Sequence, residues 1–411
     1  MSTLGKKLDP YFSARTAWGV KGNRQSFVVT NNPSSIDANE LLTVRFPNLH
    51  ANDVIVPGTA RVAFNITLNG GTDANRTVVN NLGRAIVKKV SVKFEGNEMF
   101  SLDDADIYLC YRDLWMGKNE RMNSAYYGIH HGNGGNTAKI RLGAGDAVAA
   151  TEPDASIAAA FGSRFAHGPF YQAGLNDGLT FELIFNGRVI TSTDISAFYT
   201  ITNISLEFDA VNNPDLARQK SMQYMGQTFV FYTRVLRHRK LPLNKSDVTW
   251  NVNLNTPARS LKGILVLFED PADGAMGPAF ARNSEFYYNP LITKVQITVE
   301  GVPNQLYTQG MLPHHHWEEI VKEFAREDTY RSSTNMFTTY FRSRYALWLD
   351  FRSSDDRKLH GSGRRVENAS EGITLQLEKT AQPAGAINCY IYLLMDAQLN
   401  IGDGRLKSVM F

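Results

Sequence analysis

Apolar and polar residues alternate along much of the chain in short runs, which is the pattern of β-strands with one buried face. Turn-forming residues such as Asn69-Gly70-Gly71 follow several of these runs. One further run, residues 263–268, is apolar without interruption and predicts a strand buried on both faces. The alternating runs lie at 42–46, 62–68, 179–185, 204–208, 248–254 and 373–377.

One strand pattern occurs twice. Residues 89–96 read KVSVKFEG and residues 294–301 read KVQITVEG, a displacement of 294 − 89 = 205 positions in a chain of 411 residues. Both end in Glu-Gly, where glycine lets the backbone turn sharply. The closing strands also match, because FDA at 208–210 corresponds to MDA at 395–397, displaced by 395 − 208 = 187. We predict one β-rich unit used twice; a single larger β-sandwich with similar strands is the alternative.

A helical pattern follows the repeated strand in each half. In the first half, Ser101 is predicted to cap a helix whose first turn carries Asp103 and Asp104, because these side chains complement the helix dipole. In the second half, Pro313 suits a first-turn position. The predicted core-facing stripe of this second helix, at the spacing i, i+3, i+4 and i+7, is Trp317, Ile320, Val321 and Phe324.

The displacement shrinks from 205 to 187 because the first half carries the longer insertion, residues 117–178. A segment of this length is uncommon inside a compact domain, so we expect an exposed excursion. Polar residues and proline interrupt the strand pattern between 211 and 226. We therefore predict a first unit at 1–222, with an N-terminal tail and the long loop 117–178, and a second unit at 223–411.

Composition and charge narrow the class of protein. The chain has 43 basic and 40 acidic side chains and a net charge of +3, which argues against a dedicated nucleic-acid binder. Basic residues near Met1 precede no apolar run, so no secretory leader is expected, and no stretch approaches the ~18 apolar residues of a membrane span. Cys110 and Cys389 lie in apolar patterns and are predicted to be buried free thiols, which implies synthesis in a reducing compartment.

Histidines offer the most visible chemistry. Residues 314–316 are three consecutive histidines. Neighbours on a helix point 100° apart, so three adjacent imidazoles cannot converge on one metal ion. We predict a helix N-terminal turn with one or two partly exposed rings. His130 and His131 lie in a glycine-rich loop, where a metal role together with His167 is the weaker alternative.

Charged clusters have structural explanations too. Adjacent carboxylates occur at 103–104, 318–319 and 355–356. Neighbouring side chains diverge, so none of these pairs suits acid/base catalysis. The basic stretch 234–240 either contacts a phosphate backbone or protects an exposed edge strand with charge. The sequence therefore assigns no catalytic, cofactor-binding or metal-binding residue.

Two consecutive all-β units of this size, each with a helix after its middle strands, resemble the double jelly-roll major capsid proteins of the adenovirus-hexon lineage. Members occur in tectiviruses, virophages, Polinton-type and adintovirus elements and large nucleocytoplasmic DNA viruses. Segments 81–115 and 288–324 are the most family-like. The resemblance implies an all-β fold of two tandem eight-stranded jelly-roll β-sandwiches with short helices in loops.

The same resemblance implies a non-enzymatic structural subunit of a virion, made in the host cytoplasm or nucleus and not secreted. Three copies would form a homotrimer with a pseudo-sixfold outline and tile an icosahedral shell. The implied partners are further copies of the chain and penton or minor capsid proteins, with no cofactor or small-molecule substrate. A weak contact with a packaged genome or an internal membrane stays open. The alternatives are a carbohydrate-binding or glycan-hydrolysing β-sandwich, and a minor or vertex capsid protein or a host relative that no longer forms particles.

Overall fold

A computed structural model describes most of the chain. The described residues are 24–30, 33, 35–56, 61–70, 77–79, 81–94, 96–115, 137–141, 171–174, 179–191, 196–226, 228–272, 275–276, 281–282, 284–303, 309–325, 336–352, 363–366 and 372–410. None of the helices in these ranges has both the length and the hydropathy that crossing a membrane requires.

The first half of the chain forms a sandwich of two antiparallel sheets. One sheet has the order β1-β12-β5-β9, with β2 and β4 also pairing with β12, and the other has the order β3-β10-β7-β8. A small separate sheet joins β6 to β11. The strands are β1 Arg24–Thr30, β2 Ser35–Asp37, β3 Leu41–Arg45, β4 Asp53–Ile55, β5 Arg61–Asn69, β6 Thr77–Val78, β7 Val87–Phe94, β8 Asn97–Asp103, β9 Thr137–Arg141, β10 Leu179–Phe185, β11 Ile190–Thr191 and β12 Phe198–Asn212.

The second half forms another sandwich. Its sheets have the orders β13-β23-β15-β20 and β14-β22-β18-β19; β21 adds to β15, β24 adds to β23, and β16 pairs with β17. The strands are β13 Thr228–Asn244, β14 Thr249–Leu254, β15 Ala258–Glu269, β16 Ala275–Met276, β17 Ala281–Arg282, β18 Ile292–Val299, β19 Val302–Pro303, β20 Ala346–Asp350, β21 Arg364–Val366, β22 Ile373–Lys379, β23 Ala386–Gly402 and β24 Arg405–Met410.

The two sandwiches have the same topology. If the eight main strands of each are numbered along the chain, both give one sheet of order 1-8-3-6 and another of order 2-7-4-5. Two four-stranded sheets packed face to face with this crossing order form a jelly roll. The prediction of two tandem jelly rolls is confirmed, and the alternative of one larger sandwich is wrong.

The repeated sequence pattern occupies equivalent places. Strands β7 and β18 are both the fourth main strand, and each continues through a tight hairpin into the fifth. The hairpin glycines, Gly96 and Gly301, have φ values of 75° and 78°. Glu300, before the second glycine, has φ 51°. Two successive residues at positive φ form the type I′ turn that suits a two-residue hairpin, so Glu-Gly has the same structural role there as in many hairpins.

Five α-helices lie between the strands within the described ranges. They are α1 Leu82–Ala85, α2 Ala105–Asp113, α3 Pro214–Met225, α4 Pro313–Phe324 and α5 Phe337–Ser343, and a 3₁₀ turn covers Gln172–Gly174. The Asn213 side chain caps α3 by accepting hydrogen bonds from the backbone N–H groups of Asp215 and Leu216. The predicted division between residues 222 and 223 falls inside α3, and the assignment of the two segments as separate units stays a prediction.

Two sequence predictions about local structure are wrong. Ser101 does not cap a helix, because it lies in β8 paired with Ser91 of β7. The helix starts at Ala105, and its N-cap Asp104 has φ 47° and forms no side-chain capping bond. The sheet ladder extends through Ser101 because tertiary pairing overrides a weak local preference.

The long segment 117–178 is also more than a loop. It contains β9, which pairs with β5 as the sixth main strand of the first sandwich. Residues 171–174 are described as well, whereas 117–136, 142–170 and 175–178 lie outside the described residues, together with His130, His131 and His167. The insertion therefore completes a sheet, and a five-residue strand in a glycine-rich context gave too short a pattern to predict.

Burial confirms the predicted strand faces. Strand β14 alternates between exposed and buried residues along its length, and residues 263–268 of β15 are all buried, as an uninterrupted apolar run requires. Cys110 and Cys389 are both free and buried, as predicted. Burial raises the pKa of the Cys389 thiol, which keeps it protonated and unreactive.

Candidate functional site

Helix α2 is buried on every side, and it defines the contact between the two sandwiches. All nine of its residues, Ala105–Asp113, are buried. A helix at the surface of a single domain buries only one face. Helix α2 instead lies between the first sandwich and the second, and we call the region around it the inter-sandwich contact. It consists of α2 and β8 from the first sandwich and β13, β23, α4 and Tyr287 from the second.

Buried polar bonds fasten α2 to the first sandwich. The Asp106 carboxylate accepts a hydrogen bond from the Asn186 amide at 3.0 Å. Asp113 accepts bonds from the Asn81 amide at 2.9 Å and from Arg84 Nε at 3.1 Å. A buried carboxylate is tolerated only when it is hydrogen-bonded or paired, so these partners make α2 a fixed part of the first sandwich.

Aromatic rings fill the opposite side of α2. Pairs of this kind contribute ~0.5–1.5 kcal/mol beyond the area they bury. The pairs between α2 with its following turn and the second sandwich have ring centroids 4.9–5.9 Å apart and are Tyr108–Tyr392, Tyr111–Tyr287, Tyr111–Phe324 and Trp115–Trp317.

Two tyrosines of the second sandwich also form hydrogen bonds to the start of α2. Tyr392 donates its hydroxyl proton to the Asp104 carbonyl at 2.8 Å, and Tyr287 donates to the Ile107 carbonyl at 2.7 Å. Burial raises the pKa of the Tyr392 hydroxyl well above its ordinary value, and the nearby carboxylates of Asp104 and Asp106 add to this effect. Tyr392 therefore remains a proton donor over the whole physiological pH range.

Ion pairs add a charged margin to the inter-sandwich contact. Arg237 of β13 lies 3.1 Å from an Asp104 oxygen and 3.4 Å from an Asp103 oxygen. Burial raises the pKa of Asp104 above its ordinary value, and the charge of Arg237 opposes that shift. Arg188 of the first sandwich lies 3.1 Å from the buried Glu269 of the second. Charged, hydrogen-bonded and aromatic contacts together hold the sandwiches in one relative position.

The basic stretch predicted as a phosphate-binding or edge-protecting segment is used partly inside the molecule. It belongs to β13, which is the outer strand of its sheet. Arg237 contacts carboxylates of the first sandwich, and the Lys240 ammonium lies 5.0 Å from the centre of the Tyr390 ring. His238 bonds the Thr256 hydroxyl at 2.8 Å, and burial lowers its pKa. Much of the charge predicted to meet a phosphate backbone thus serves the fold itself.

The three consecutive histidines lie in the first turn of α4 and diverge, as predicted. His314 is exposed, and His315 Nδ1 accepts a hydrogen bond from the Leu312 backbone N–H at 3.1 Å. His316 is fully buried, with Nε2 3.3 Å from the Met311 carbonyl and Nδ1 2.9 Å from the Tyr345 hydroxyl. The carbonyl can only accept, so Nε2 carries the proton and Nδ1 accepts from Tyr345. In the parts of the chain that the structure describes, no three His, Cys, Asp or Glu side chains are placed to hold a metal ion.

Comparisons with known proteins agree with this architecture. No protein-family model and no curated protein matches the sequence. Among solved structures, the chain is similar to VP54 of PBCV-1, fitted into a reconstruction of the virophage Sputnik, with 12% identity, a TM-score of 0.62 and coverage of 97% of this chain and 99% of that one. It is similar to the Faustovirus major capsid protein (8% identity, TM-score 0.52, coverage 95% and 92%). It is also similar to the mavirus major capsid protein (10% identity, TM-score 0.50, coverage 94% and 90%).

The chain has the double jelly-roll fold. The similarity spans both sandwiches, because more than nine-tenths of each chain is covered in these comparisons. Within this double jelly roll, the inter-sandwich contact is the feature that sequence reasoning missed. Tyr390 and Tyr392 alternate with apolar residues in the closing strand, and such hydroxyls in a run buried on both faces signal a hydrogen-bonded neighbour outside the sheet.

Acidification is expected to destabilise the double jelly roll through His316. Burial lowers the pKa of His316 to about 4, whereas the unfolded chain takes up this proton near pH 6.5. The unfolded state therefore binds the extra proton first, and stability falls between pH 6.5 and pH 4, by at most ~1.4 kcal/mol per pH unit. Urea unfolding at pH 7, 6 and 5 measures this slope.

The matched variants are His316→Gln and His314→Gln. Glutamine at 316 removes the titration, so the variant should lose less stability on acidification than the wild-type chain does. His314→Gln changes an exposed ring and should leave the pH slope unaltered. Equal slopes in all three proteins would show that His316 does not set the acid response.

Proposed function

We propose that this chain is a major capsid protein, the structural subunit of an icosahedral viral shell. Three copies would associate as a homotrimer with a pseudo-hexagonal outline, and the trimers would tile the shell of the virion. The observation that supports this proposal best is that two jelly rolls of identical strand order lie side by side and are joined through a buried contact. The printed names of two similar structures are major capsid proteins.

The duplication has a physical use in such a shell. A chain with two similar units lets a threefold assembly present six similar sides, which suits a near-hexagonal lattice. The inter-sandwich contact supports this role because a lattice subunit has to keep both units in one orientation. The mechanism is burial of surface between copies, with no substrate turned over.

The proposed partners are other copies of the chain and penton or minor capsid proteins. A weak contact with a genome or an internal membrane stays open, although Arg237 already faces Asp103 and Asp104. A single-unit vertex protein is not favoured because there are two jelly rolls. No contact among the described residues specifically supports the carbohydrate-binding alternative.

Size-exclusion chromatography with light scattering tests the proposal. We expect a particle of about three times the 45.9 kDa chain mass, with a hexagonal outline in negative-stain micrographs, or spontaneous shells. A chain that stays monomeric at the highest soluble concentration would contradict the proposal. Circular dichroism of the same fractions checks that the protein is folded.

A further inference from the structure

The contact inside the chain joins unlike edges of the two jelly rolls. It brings the fifth main strand of the first jelly roll, β8, beside the first main strand of the second, β13. Arg237 in β13 and Asp103 in β8 mark this junction at 3.4 Å. A contact between unlike edges leaves one unused edge of each kind, namely β1 in the first jelly roll and β19 in the second.

Strand registers identify the equivalent positions on the two first strands. Val28 of β1 pairs with Glu207 of β12, and Val235 of β13 pairs with Leu394 of β23. The displacement 394 − 207 = 187 equals that of the matching FDA and MDA segments in the same closing strands. Val28 therefore occupies the place in the first jelly roll that Val235 occupies in the second.

The two equivalent valines differ in their surroundings. Val235 is 1% exposed and lies two residues before Arg237, so both side chains are on the sheet face that meets the first jelly roll. Val28 is 68% exposed. Its neighbour Phe27 stacks on Phe208, with centroids 5.2 Å apart, so Val28 is on the outward face of its sheet. This outward face at β1 is the equivalent of a covered surface and is itself uncovered.

The opposite edge carries a matching exposed residue. Strand β19 is equivalent to β8 because each is the fifth main strand after a Glu-Gly hairpin. Val302 of β19 is 52% exposed, and the neighbouring Pro303 is exposed as well. An exposed valine on each unused edge is consistent with a contact that only a second copy of the chain completes.

We propose that the β19 edge of one copy docks on the outward face of β1 and β12 in the next copy, repeating between chains the junction that β8 and β13 form within a chain. The inference rests on the proposed function and adds the surfaces through which copies meet. The contact is head-to-tail, and it closes into a ring when three chains supply six jelly rolls. Its occupant is a second copy because the covering unit at the equivalent face is a jelly roll of this same chain.

The chemistry of the two junctions differs. At the contact within the chain, the outward positions of β23 are Tyr392 and Leu394, which are 0% and 2% exposed. The equivalent positions of β12 are Ser205 and Glu207, both half-buried, because 392 − 187 = 205 and 394 − 187 = 207. Contacts between copies are therefore more polar than the contact within a copy. Assembly of copies should be reversible and weakened by salt, whereas the two jelly rolls of one chain stay joined.

Cross-linking tests the surfaces directly in the full-length chain. Val28→Cys and Val302→Cys are made separately, mixed, allowed to reassemble and treated with a short bismaleimide. We expect covalent dimers from this mixture, since one thiol comes from each chain. The control mixture pairs Val302→Cys with Leu41→Cys, a 51% exposed position in β3 of the other sheet, and should give at least ten-fold less product. The native Cys110 and Cys389 are buried and should not react.

A charge variant provides a second readout. Val28→Arg should reduce the trimer fraction at least ten-fold at the wild-type midpoint concentration, whereas Leu41→Arg should leave it unchanged. A wild-type trimer in which the cross-link is absent and Val28→Arg still assembles would overturn this inference and leave the proposed function intact. A wild-type protein that remains monomeric at every concentration would instead overturn both.

Discussion

Replacing Phe324 with alanine is expected to lower the free energy of unfolding by ~3–5 kcal/mol, as large-to-small changes of buried phenylalanine do. Phe324 is 6% exposed at the end of α4. Its ring centroid lies 5.6 Å from that of Tyr111 and 5.9 Å from that of Trp348. The ring therefore links α2 of the first jelly roll to the sheet of the second, and its removal leaves a cavity between them. Urea unfolding followed by tryptophan fluorescence measures the change.

Phe198→Ala is the matched control. Phe198 is 53% exposed at the start of β12, so the same truncation there removes little buried contact and should cost less than ~1 kcal/mol. Phe324→Leu, which keeps most of the volume, should fall between the two. If Phe324→Ala were as stable as Phe198→Ala, the inter-sandwich contact would not depend on this ring.

Replacing Arg352 with methionine is expected to cost ~3–5 kcal/mol, because it leaves a buried carboxylate without its counter-charge. The Arg352 side chain is 5% exposed, and its Nη2 atom lies 2.8 Å from Glu323 Oε2, which is equally buried. Arg352 Nε also donates to Asp350 at 3.0 Å. Since Glu323 is in α4 and Asp350 ends β20, the guanidinium holds the helix against the sheet. Chemical denaturation at pH 7 gives the size of the effect.

The double variant Arg352→Met with Glu323→Leu separates loss of charge balance from loss of packing. Removing both charges should restore much of the stability, because a buried ion pair replaced by apolar side chains is often close to neutral. Arg342→Met alters an exposed arginine of α5 and should change stability by less than ~0.5 kcal/mol. A single Arg352→Met variant as stable as this control would show that the charge pair does not anchor α4.

Several features of the fold could be predicted from short-range patterns. Alternation with period two identified strands such as β14, and the Glu-Gly pair identified both hairpins after β7 and β18. The stripe in α4 is confirmed, since Ile320 and Phe324 are buried and Trp317 and Val321 pack against the core. These signals are local because each depends on residues close together in the chain, where periodicity directly reports which side is buried.

Other features could not be predicted because their causes are distant in sequence. Strand β9 is recognisable only through its pairing with β5, and the start of α2 was decided by the ladder between β7 and β8. The inter-sandwich contact depends on bonds such as that from Tyr287 to Ile107, which join residues 180 positions apart. No window of sequence contains both partners of such a bond.

The amino-acid sequence by itself determined that this protein is built from strands, that one unit occurs twice, and that its thiols are buried, because burial periodicity and the Glu-Gly turns act over a few residues. Only the tertiary structure decided that two jelly rolls share the order 1-8-3-6 and 2-7-4-5 and meet around a helix buried on every side. The physical reason is that sheet order and the packing of one sandwich on another depend on which distant surfaces complement each other, and complementarity exists only once both surfaces have formed.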